Sequence, residues 1–247
     1  MAVRLTIWNE FIHERRDASV REIYPDGMHT VVAAGIQRHL GEGVRVRFAT
    51  LDQPEHGLTE EVLDDTDVLT WWGHCAHDQV ADAIVDRVVG RVLEGMGLLA
   101  MHSAHYSKVF RRLMGTTCGL RWRNENDREL VWSVRPAHPI CAGIPSPIII
   151  PRQEMYGEYF DIPQPEELVF VSSFSGGEVF RSGCCFVRGR GRIFYFSPGD
   201  QEYPVYHEDV VTHVLANAVR WVAPDVARWT EPTSAHVEQG WFEQSMA

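Results

Sequence analysis

The sequence predicts an α/β fold built around a mostly parallel sheet. Up to residue 115, β-rich apolar runs alternate with stretches of helical spacing, which is the pattern of βαβ units. The chain has 247 residues, of which 45% are hydrophobic, enough for one large core. Later runs are short and lie between turn residues, which indicates antiparallel strands. We therefore expect a parallel sheet with an antiparallel extension.

The parallel part rests on four apolar runs, which we predict as strands over 3–8, 44–51, 67–72 and 95–103. Apolar residues at helical spacing follow the first run from Met28 to Leu40, and Gly41 ends that helix. We expect Asp78 to cap the helix after the third run. A further helix is expected to start near His105 and run to Leu113.

The second half is predicted as antiparallel strands and one last helix. Expected strands are 120–126, 129–136, 168–174, 184–189 and 192–199, with a turn-rich stretch at 138–153 and a helix over 208–222. One domain should then cover residues 1–224. Residues 225–247 lack periodicity and are predicted to be a C-terminal extension, in which Trp241 and Phe242 suggest burial against a second subunit of a homo-oligomer.

Composition narrows the class of partner. The formal net charge of −11 argues against nucleic acid, because phosphate binding needs clustered Lys and Arg, and favours a small molecule. No stretch is apolar enough to span a membrane, and the first apolar run is too short for a secretory signal. The five cysteines have no framework spacing, so we expect reduced thiols in a cytoplasmic protein. Cys184 and Cys185 should point to opposite faces of a strand.

Two His-x-x-His segments are the main candidates for a functional site. His74 and His77 follow the third strand, and His102 and His105 follow the fourth. Ligands of parallel sheets bind at the carboxyl ends of the strands, so both pairs should lie at one site. Imidazole is a common metal ligand and shuttles protons near neutral pH. The alternative for any one of these histidines is a capping or core role.

Other segments supply further candidates. Glu154 and Glu158 have Tyr156 and Tyr159 as neighbours, and could complete a metal site, act as a base or form a solvated acidic face. Loop residues after the last predicted strand include Asp200 and His207. The first strand ends in polar groups suited to hydroxyl recognition, and several aromatic residues could stack on a sugar, although core packing is their commoner use. These candidate substrate-binding residues are Trp8, Asn9, Glu10, His13, Tyr106 and Tyr156.

Seven segments together resemble a known family. They are WNEFIHE, IYPDGMH, VLTWWGHCAHDQV, GLLAMHSAHYSKVF, QEMYGEYFDIP, GGEVFRSGCCFVRGRGRIFYFSPG and NAVRWVAP. In this order, over roughly residues 3–224, they resemble the ThuA-like proteins linked to bacterial trehalose utilisation. The resemblance implies a flavodoxin-like, doubly wound domain related to class I glutamine amidotransferases.

That relation makes the missing residues informative. In amidotransferases a tight turn after the fourth strand carries the nucleophilic cysteine, but the similar turn here carries His102, with Ala104 in the place of the small residue. Ser197-Pro198-Gly199 stands where the amidotransferase histidine would be. We therefore expect no glutamine amidotransferase activity. Asp200 replaces a histidine that relatives often have after this Pro-Gly turn, which leaves the metal preference open.

The resemblance implies sugar metabolism, alongside a sugar dehydrogenase that oxidises a glycoside to its keto form. We expect a metal- or His/Glu-assisted proton transfer, an isomerisation or elimination, on a trehalose-type disaccharide or its keto derivative. The expected catalytic residues are His102, His105, Glu154 and His207. The expected ligands of a divalent cation, zinc first, are His74, His77, His102, Glu154 and Asp200. No nucleotide cofactor is expected. A metal-dependent hydrolase and a non-catalytic sugar-binding or regulatory module remain the alternatives.

Overall fold

A single nine-stranded sheet organises the protein, and the computed structural model describes residues 2–225 of it. The strands are β1 (Val3–Asn9), β2 (Val44–Thr50), β3 (Val68–Trp72), β4 (Gly97–Met101), β5 (Arg121–Ser133), β6 (Ile148–Gly157), β7 (Glu167–Phe174), β8 (Val179–Arg188) and β9 (Gly191–Phe196). Their order is β2-β1-β3-β4-β9-β8-β7-β5-β6. The first five in this order run parallel and the remaining pairs are antiparallel, which confirms the predicted fold class.

Helices cover both faces of the sheet. They are α1 (His13–Arg16), α2 (Ala18–Ile23), α3 (Met28–Leu40), α4 (Glu60–Asp64), α5 (Asp82–Glu94), α6 (Lys108–Met114) and α7 (Asp209–Val222). Apolar faces of α3 and α7 pack in one core, and those of α5 and α6 pack in the other. Cys185 lies in the first core and Cys184 in the second, as the strand alternation predicts. None of the helices within residues 2–225 is both long and apolar enough to cross a membrane.

Three helix and strand boundaries differ from the predictions. Asp78 lies in a short 3-10 turn, and α5 begins only at Asp82 after Ala81. The turn after β4 is also 3-10, and α6 begins at Lys108, where the Ser107 hydroxyl accepts a hydrogen bond from the Phe110 N–H. The predicted break between two strands near residue 127 is wrong. β5 continues through a bulge at which Asn126 adopts a φ of 61°.

The strand β6 was not predicted at all. Pro145 and Pro147 directly before β6, and Pro151 within it, are typical of turns. β6 is the last strand of the sheet, and an edge strand tolerates proline because one side of its backbone has no hydrogen-bonding partner strand. The proposed extension at 225–247, including Trp241 and Phe242, lies outside the described residues except for Asp225.

Candidate functional site

The site forms where the parallel strands end. β3 leads into His74 and His77, β4 into His102, and β9 into Asp200. The far end of the β5–β6 ribbon returns to this edge, since Tyr156 of β6 stacks on His102 with ring centroids 4.7 Å apart. Both halves of the sheet therefore contribute to one site.

His102 occupies the sharp turn after β4. Its φ of 50° is uncommon for a residue with a side chain, and such strain is typical of functional turns. Its Nδ1 lies 2.7 Å from the carbonyl oxygen of Ser197. Because a carbonyl only accepts, Nδ1 carries a proton and donates it. The second ring nitrogen, Nε2, is thereby directed at the remaining groups of the site.

Two buried carboxylates face that nitrogen. Glu154 Oε2 is 3.1 Å from His102 Nε2, and Asp200 Oδ2 is 3.5 Å away. His102 and Asp200 are each 1% exposed and Glu154 is 6% exposed. Apart from these contacts with His102, the two carboxylate oxygens have no hydrogen-bond partner. Buried carboxylates of this kind require either a proton or a cation between them.

The local charges determine the protonation of His102. Burial alone would lower the pKa of His102, but the hydrogen bonds and negative charges of Asp200 and Glu154 outweigh burial and raise it to about 10. Burial would raise the pKa of Asp200, yet the hydrogen bond to His102 and the N–H of Glu202 hold it below its ordinary value. Without a metal ion, the group is an imidazolium between carboxylates at neutral pH.

The same three side chains fit a divalent cation. His102, Glu154 and Asp200 each offer a ligand atom, and these atoms all lie within 4.8 Å of one another. Metal-binding histidines commonly donate their other N–H to a backbone carbonyl, as His102 does to Ser197. A nitrogen with two carboxylate oxygens suits zinc and related ions. Three of the five expected ligands are therefore brought together.

The other two expected ligands, His74 and His77, lie outside this cluster but line the same cavity. His74 Nδ1 is 2.9 Å from His13 Nε2. Burial, followed by the charges of nearby histidines, lowers the pKa of His74. Burial lowers the pKa of His77 to about 4. Both imidazoles are thus neutral at pH 7 and offer hydrogen bonds at the cavity wall.

His105 belongs to the same turn as His102 but has apolar surroundings. Its Nδ1 lies 2.7 Å from the Cys118 carbonyl oxygen, and its ring edge contacts Tyr156, Phe160 and Tyr195. Burial lowers the pKa of His105 to about 3, so the ring is neutral. It lines the cavity as a hydrogen-bonding group rather than as a charge.

Tyr156 presents its hydroxyl to the cluster. The hydroxyl oxygen lies 3.1 Å from His102 Nε2, and burial raises the pKa of Tyr156 well above 10. The phenol therefore keeps its proton and can donate it to an oxygen of a bound molecule. Tyr106 also lines the cavity, with 48% of its surface exposed.

The expected substrate-binding residues of the first loop have structural contacts instead of a place on the cavity wall. Trp8 stacks on Trp71 with centroids 4.0 Å apart. The Asn9 amide donates to Glu14. Glu10 accepts three backbone N–H groups of the loop after β3. His13 contacts His74, with its Nε2 at 2.9 Å from the Nδ1 of His74.

His207 also lies apart from the cluster. Its Nε2 is 2.9 Å from the Ile23 carbonyl oxygen, and its ring stacks on Tyr24. Glu158, the second carboxylate of its segment, forms an ion pair with Arg181 at 2.9 Å. The contacts of His207 and Glu158 therefore connect parts of the chain that are distant in sequence.

A cavity of about 610 Å³ opens beside the cluster. Its wall is mostly polar and aromatic, and consists of His74, His77, Ser103, His105, Tyr106, Gly119, Leu120, Trp122, Asn124, Glu154, Tyr156, Asp200, Gln201 and Glu202. A concave pocket with a few convergent polar groups is the usual form of a small-molecule site. Trp122 and Asn124 of β5 had not been singled out, because one Trp and one Asn in an alternating strand carry no distinctive signal.

Two further residues that the sequence did not reveal support the cluster. Gln153 Oε1 accepts the backbone N–H of Glu154 at 3.1 Å and that of Asp200 at 3.4 Å, so one amide positions both carboxylate residues. Glu129 is fully buried, accepts a hydrogen bond from the Ser172 hydroxyl, and has its pKa raised to about 7 by burial. In the sequence, either residue could equally belong to an exposed strand face.

Cysteine chemistry has no basis at this site. Cys75 is the exposed cysteine, and its Sγ donates to Glu10 at 3.0 Å. Burial, the hydrogen bond to Glu10 and its negative charge raise the pKa of Cys75 to about 12. A thiol with such a pKa is not a thiolate at neutral pH.

Comparison with solved structures agrees with this fold. A ThuA-like protein from Bacteroides uniformis superposes with a TM-score of 0.62 at 17% identity, covering 89% of this chain and 91% of that one. A ThuA-like protein from Parabacteroides merdae gives 0.63 at 14% identity, covering 94% and 93%. A cytoplasmic protein from Salmonella typhimurium gives 0.57 at 13% identity, covering 90% and 100%. At such identities the likeness concerns the fold alone.

Sequence comparison supplies the family. None of the curated proteins has a significantly similar sequence. The family model described as ThuA, trehalose utilisation, matches residues 4–222. This range includes β1 except for Val3, the other eight strands in full, and the cluster of His102, Glu154 and Asp200. The chain therefore belongs to the ThuA family of trehalose utilisation proteins.

Proposed function

We propose that this protein is an enzyme that transfers a proton on the keto derivative of a trehalose-type disaccharide, leading to isomerisation or elimination. The observation that carries the proposal is the position of His102 Nε2 between two buried carboxylates at the wall of the cavity. The family description supports a sugar as the substrate class. A protein without catalysis would have little reason to bury three ionisable groups together.

The chemistry follows from the protonation states. A C–H bond next to a carbonyl is acidic, and a carboxylate such as Glu154 can accept its proton as the electron pair moves toward the carbonyl oxygen. The His102 imidazolium or the Tyr156 hydroxyl then donates a proton to that oxygen. In isomerisation, the hydroxyl on the deprotonated carbon loses its proton and the former carbonyl carbon gains one, so that the carbonyl moves to the neighbouring carbon. In elimination, the enol oxygen gives up its proton as the carbonyl re-forms, and the oxygen substituent on the carbon beyond leaves with a proton donated by His102 or Tyr156.

A divalent cation at His102, Glu154 and Asp200 would supply the same polarisation of the carbonyl when bound. Zinc is our first choice because a histidine nitrogen and two carboxylates are within its usual ligand set. The unpartnered oxygens of Glu154 and Asp200 support this assignment. His74 and His77 would then bind the substrate from the cavity wall.

The proposed substrate indicates which reaction precedes this enzyme. A keto sugar must be supplied by an oxidation, so we propose a sugar dehydrogenase acting before this protein. The net charge of −11 supports a small-molecule partner over nucleic acid. We also propose a cytoplasmic location and a homo-oligomer, without a nucleotide cofactor.

The test uses the keto derivative of trehalose in D2O, followed by NMR, together with elemental analysis of the purified protein. We expect deuterium at the carbon beside the carbonyl, a new product, and loss of both in His102→Gln. Hydrolysis without deuterium incorporation would favour a metal-dependent hydrolase. Tight binding of trehalose, without turnover or metal, would favour a binding module. If exchange, product and metal are all absent and His102→Gln changes nothing, the proposal is wrong.

A further inference from the structure

One large aromatic side chain lies exposed beside the catalytic cluster. Trp122 is 67% exposed although its indole lines the cavity. In the β5–β6 ladder Trp122 pairs with Tyr156, and directly paired residues of antiparallel strands project from the same face. Tyr156 in turn stacks on His102. The indole therefore stands next to the reacting end of the cavity, on its solvent side.

The space around Trp122 is larger than one sugar ring requires. The cavity measures about 610 Å³. It borders a second cavity of about 730 Å³, to which Leu120 and Trp122 also contribute. Pockets that enclose drug-sized ligands measure roughly 300–1,000 Å³. A sugar ring at His102 thus leaves room for a second, linked ring at Trp122.

The neighbours of Trp122 suit the edge of a sugar ring. Asn124 follows two positions later on β5 and lines the same cavity, where its amide donates to Glu202 at 3.1 Å. A pyranose has apolar C–H faces and a rim of hydroxyl groups. An exposed indole can stack on a C–H face of the ring. The Asn124–Glu202 pair can form hydrogen bonds with the hydroxyl groups of the rim.

We propose that Trp122 is the stacking platform for the second sugar ring, and that it makes the site selective for disaccharides over monosaccharides. This inference rests on the proposed function, because it takes the ring at His102 to be the one that reacts. Trp122 acts here through binding and takes no part in proton transfer.

The experiment compares Trp122→Ala with Trp132→Ala. Trp132 lies on the same strand, is 42% exposed and donates to the Ser173 hydroxyl away from both cavities, so it controls for the loss of an exposed indole. Calorimetric titration with trehalose and with glucose gives the dissociation constants. We expect Trp122→Ala to weaken trehalose binding about ten-fold, or about 1.4 kcal/mol, and to leave glucose binding unchanged. Trp132→Ala should bind both sugars like the wild type.

Several results would overturn the platform. The first is an equal weakening of trehalose and glucose binding in Trp122→Ala. The second is an unchanged trehalose affinity in that variant. The third is a wild type that binds trehalose no more tightly than glucose. Dissociation of an oligomer by Trp122→Ala, with unchanged sugar binding, would show instead that a second copy covers the indole.

The stacking role of Trp122 and the proton-transfer function can be rejected independently of each other. Selective trehalose binding that depends on Trp122, without deuterium exchange into the keto sugar, would retain the platform and reject the proton-transfer function. Exchange that is equal in wild type and Trp122→Ala at every substrate concentration, with unchanged sugar affinities, would retain the function and reject the platform.

Discussion

The two His-x-x-His segments have the same spacing and follow neighbouring strands, yet their surroundings differ. The segment after β3, with His74 and His77, rests on Glu10 and His13, and both of its imidazoles have lowered pKa values. In the segment after β4, His102 faces two carboxylates, while His105 is enclosed by aromatic rings. Only one of the four imidazoles has a raised pKa.

This difference comes from two strands that lie later in the sequence. Glu154 belongs to the edge strand β6, and Asp200 follows β9. The His-x-x-His spacing therefore predicts that imidazoles lie at a strand end. The carboxylates near an imidazole then determine whether it is protonated or can hold a cation. The predictions below test this distinction between His102 and the other three histidines.

The largest effect is expected from His102→Gln. Loss of the imidazole removes a proton donor and a metal ligand together, so turnover of the keto sugar should fall at least about 10²-fold. Bound metal should fall to background in elemental analysis. The matching change in the other segment, His77→Gln, should reduce turnover only several-fold. His39→Gln on α3, where the ring stacks on His213 away from the cavity, controls for losing a histidine. A loss in His77→Gln equal to that in His102→Gln would contradict the distinction.

The next effect concerns the carboxylates. Glu154→Gln and Asp200→Asn keep the side-chain shape but each removes one negative charge that holds the proton or cation at His102. Turnover should fall roughly ten- to hundred-fold, with weaker retention of zinc during dialysis. Glu166→Gln serves as a control, because Glu166 pairs with Arg188 on the surface. Full activity and full metal content in either cluster variant would show that the carboxylate is structural.

The pH dependence of stability should have opposite signs for His102 and His105. The raised pKa of His102 contributes stability that is complete below the unfolded value of about 6.5 and disappears as the pH rises to about 10. The lowered pKa of His105 contributes stability that is complete above about 6.5 and is lost as the pH falls toward about 3. Each slope is at most about 1.4 kcal/mol per pH unit.

Urea unfolding in EDTA measures these slopes. The difference in unfolding free energy between wild type and His102→Gln should shrink from pH 6.5 upward, and that for His105→Gln should shrink from pH 6.5 downward. Parallel pH profiles for the two variants would refute the assigned charges.

The smallest effect is expected from Cys75→Ser. Its thiol, with a pKa raised to about 12, is not a nucleophile, although it follows β3 close to the cavity. Turnover should remain within about two-fold of the wild type, and iodoacetamide should inactivate the protein only slowly. Rapid inactivation that Cys75→Ser abolishes would restore a role for cysteine.

The sequence was informative about the parallel half and poor about the antiparallel half. Buried parallel strands are continuous apolar runs between helices, so β1 to β4 could be predicted, and with them the position of His102. Asp200 was predicted only as a loop residue after a strand of the antiparallel part, but β9 also pairs in parallel with β4, which places Asp200 at the same strand ends as His102. The single-domain boundary at residue 224 stays a prediction.

Glu154 could be proposed only as an acid close to two tyrosines, because nothing local shows that β6 returns to the cluster. A strand that contains Pro151 can be recognised only once it is known to lie at the edge of the sheet. Gln153, Glu129 and Trp122 act through contacts with residues distant in sequence. A pattern within one segment cannot reveal such contacts.

The carboxylate of Glu10 limits the anions that the loop after β3 can bind. It accepts the N–H groups of His74, Cys75 and Ala76 at 2.8, 3.0 and 3.0 Å, in the manner of an anion held in a backbone nest. In many α/β proteins such amides at a strand end hold the phosphate of a ligand. Here the chain supplies its own anion, and these donors are already in use. The amides of the loop after β3 can therefore bind the phosphate of a ligand only if Glu10 is displaced.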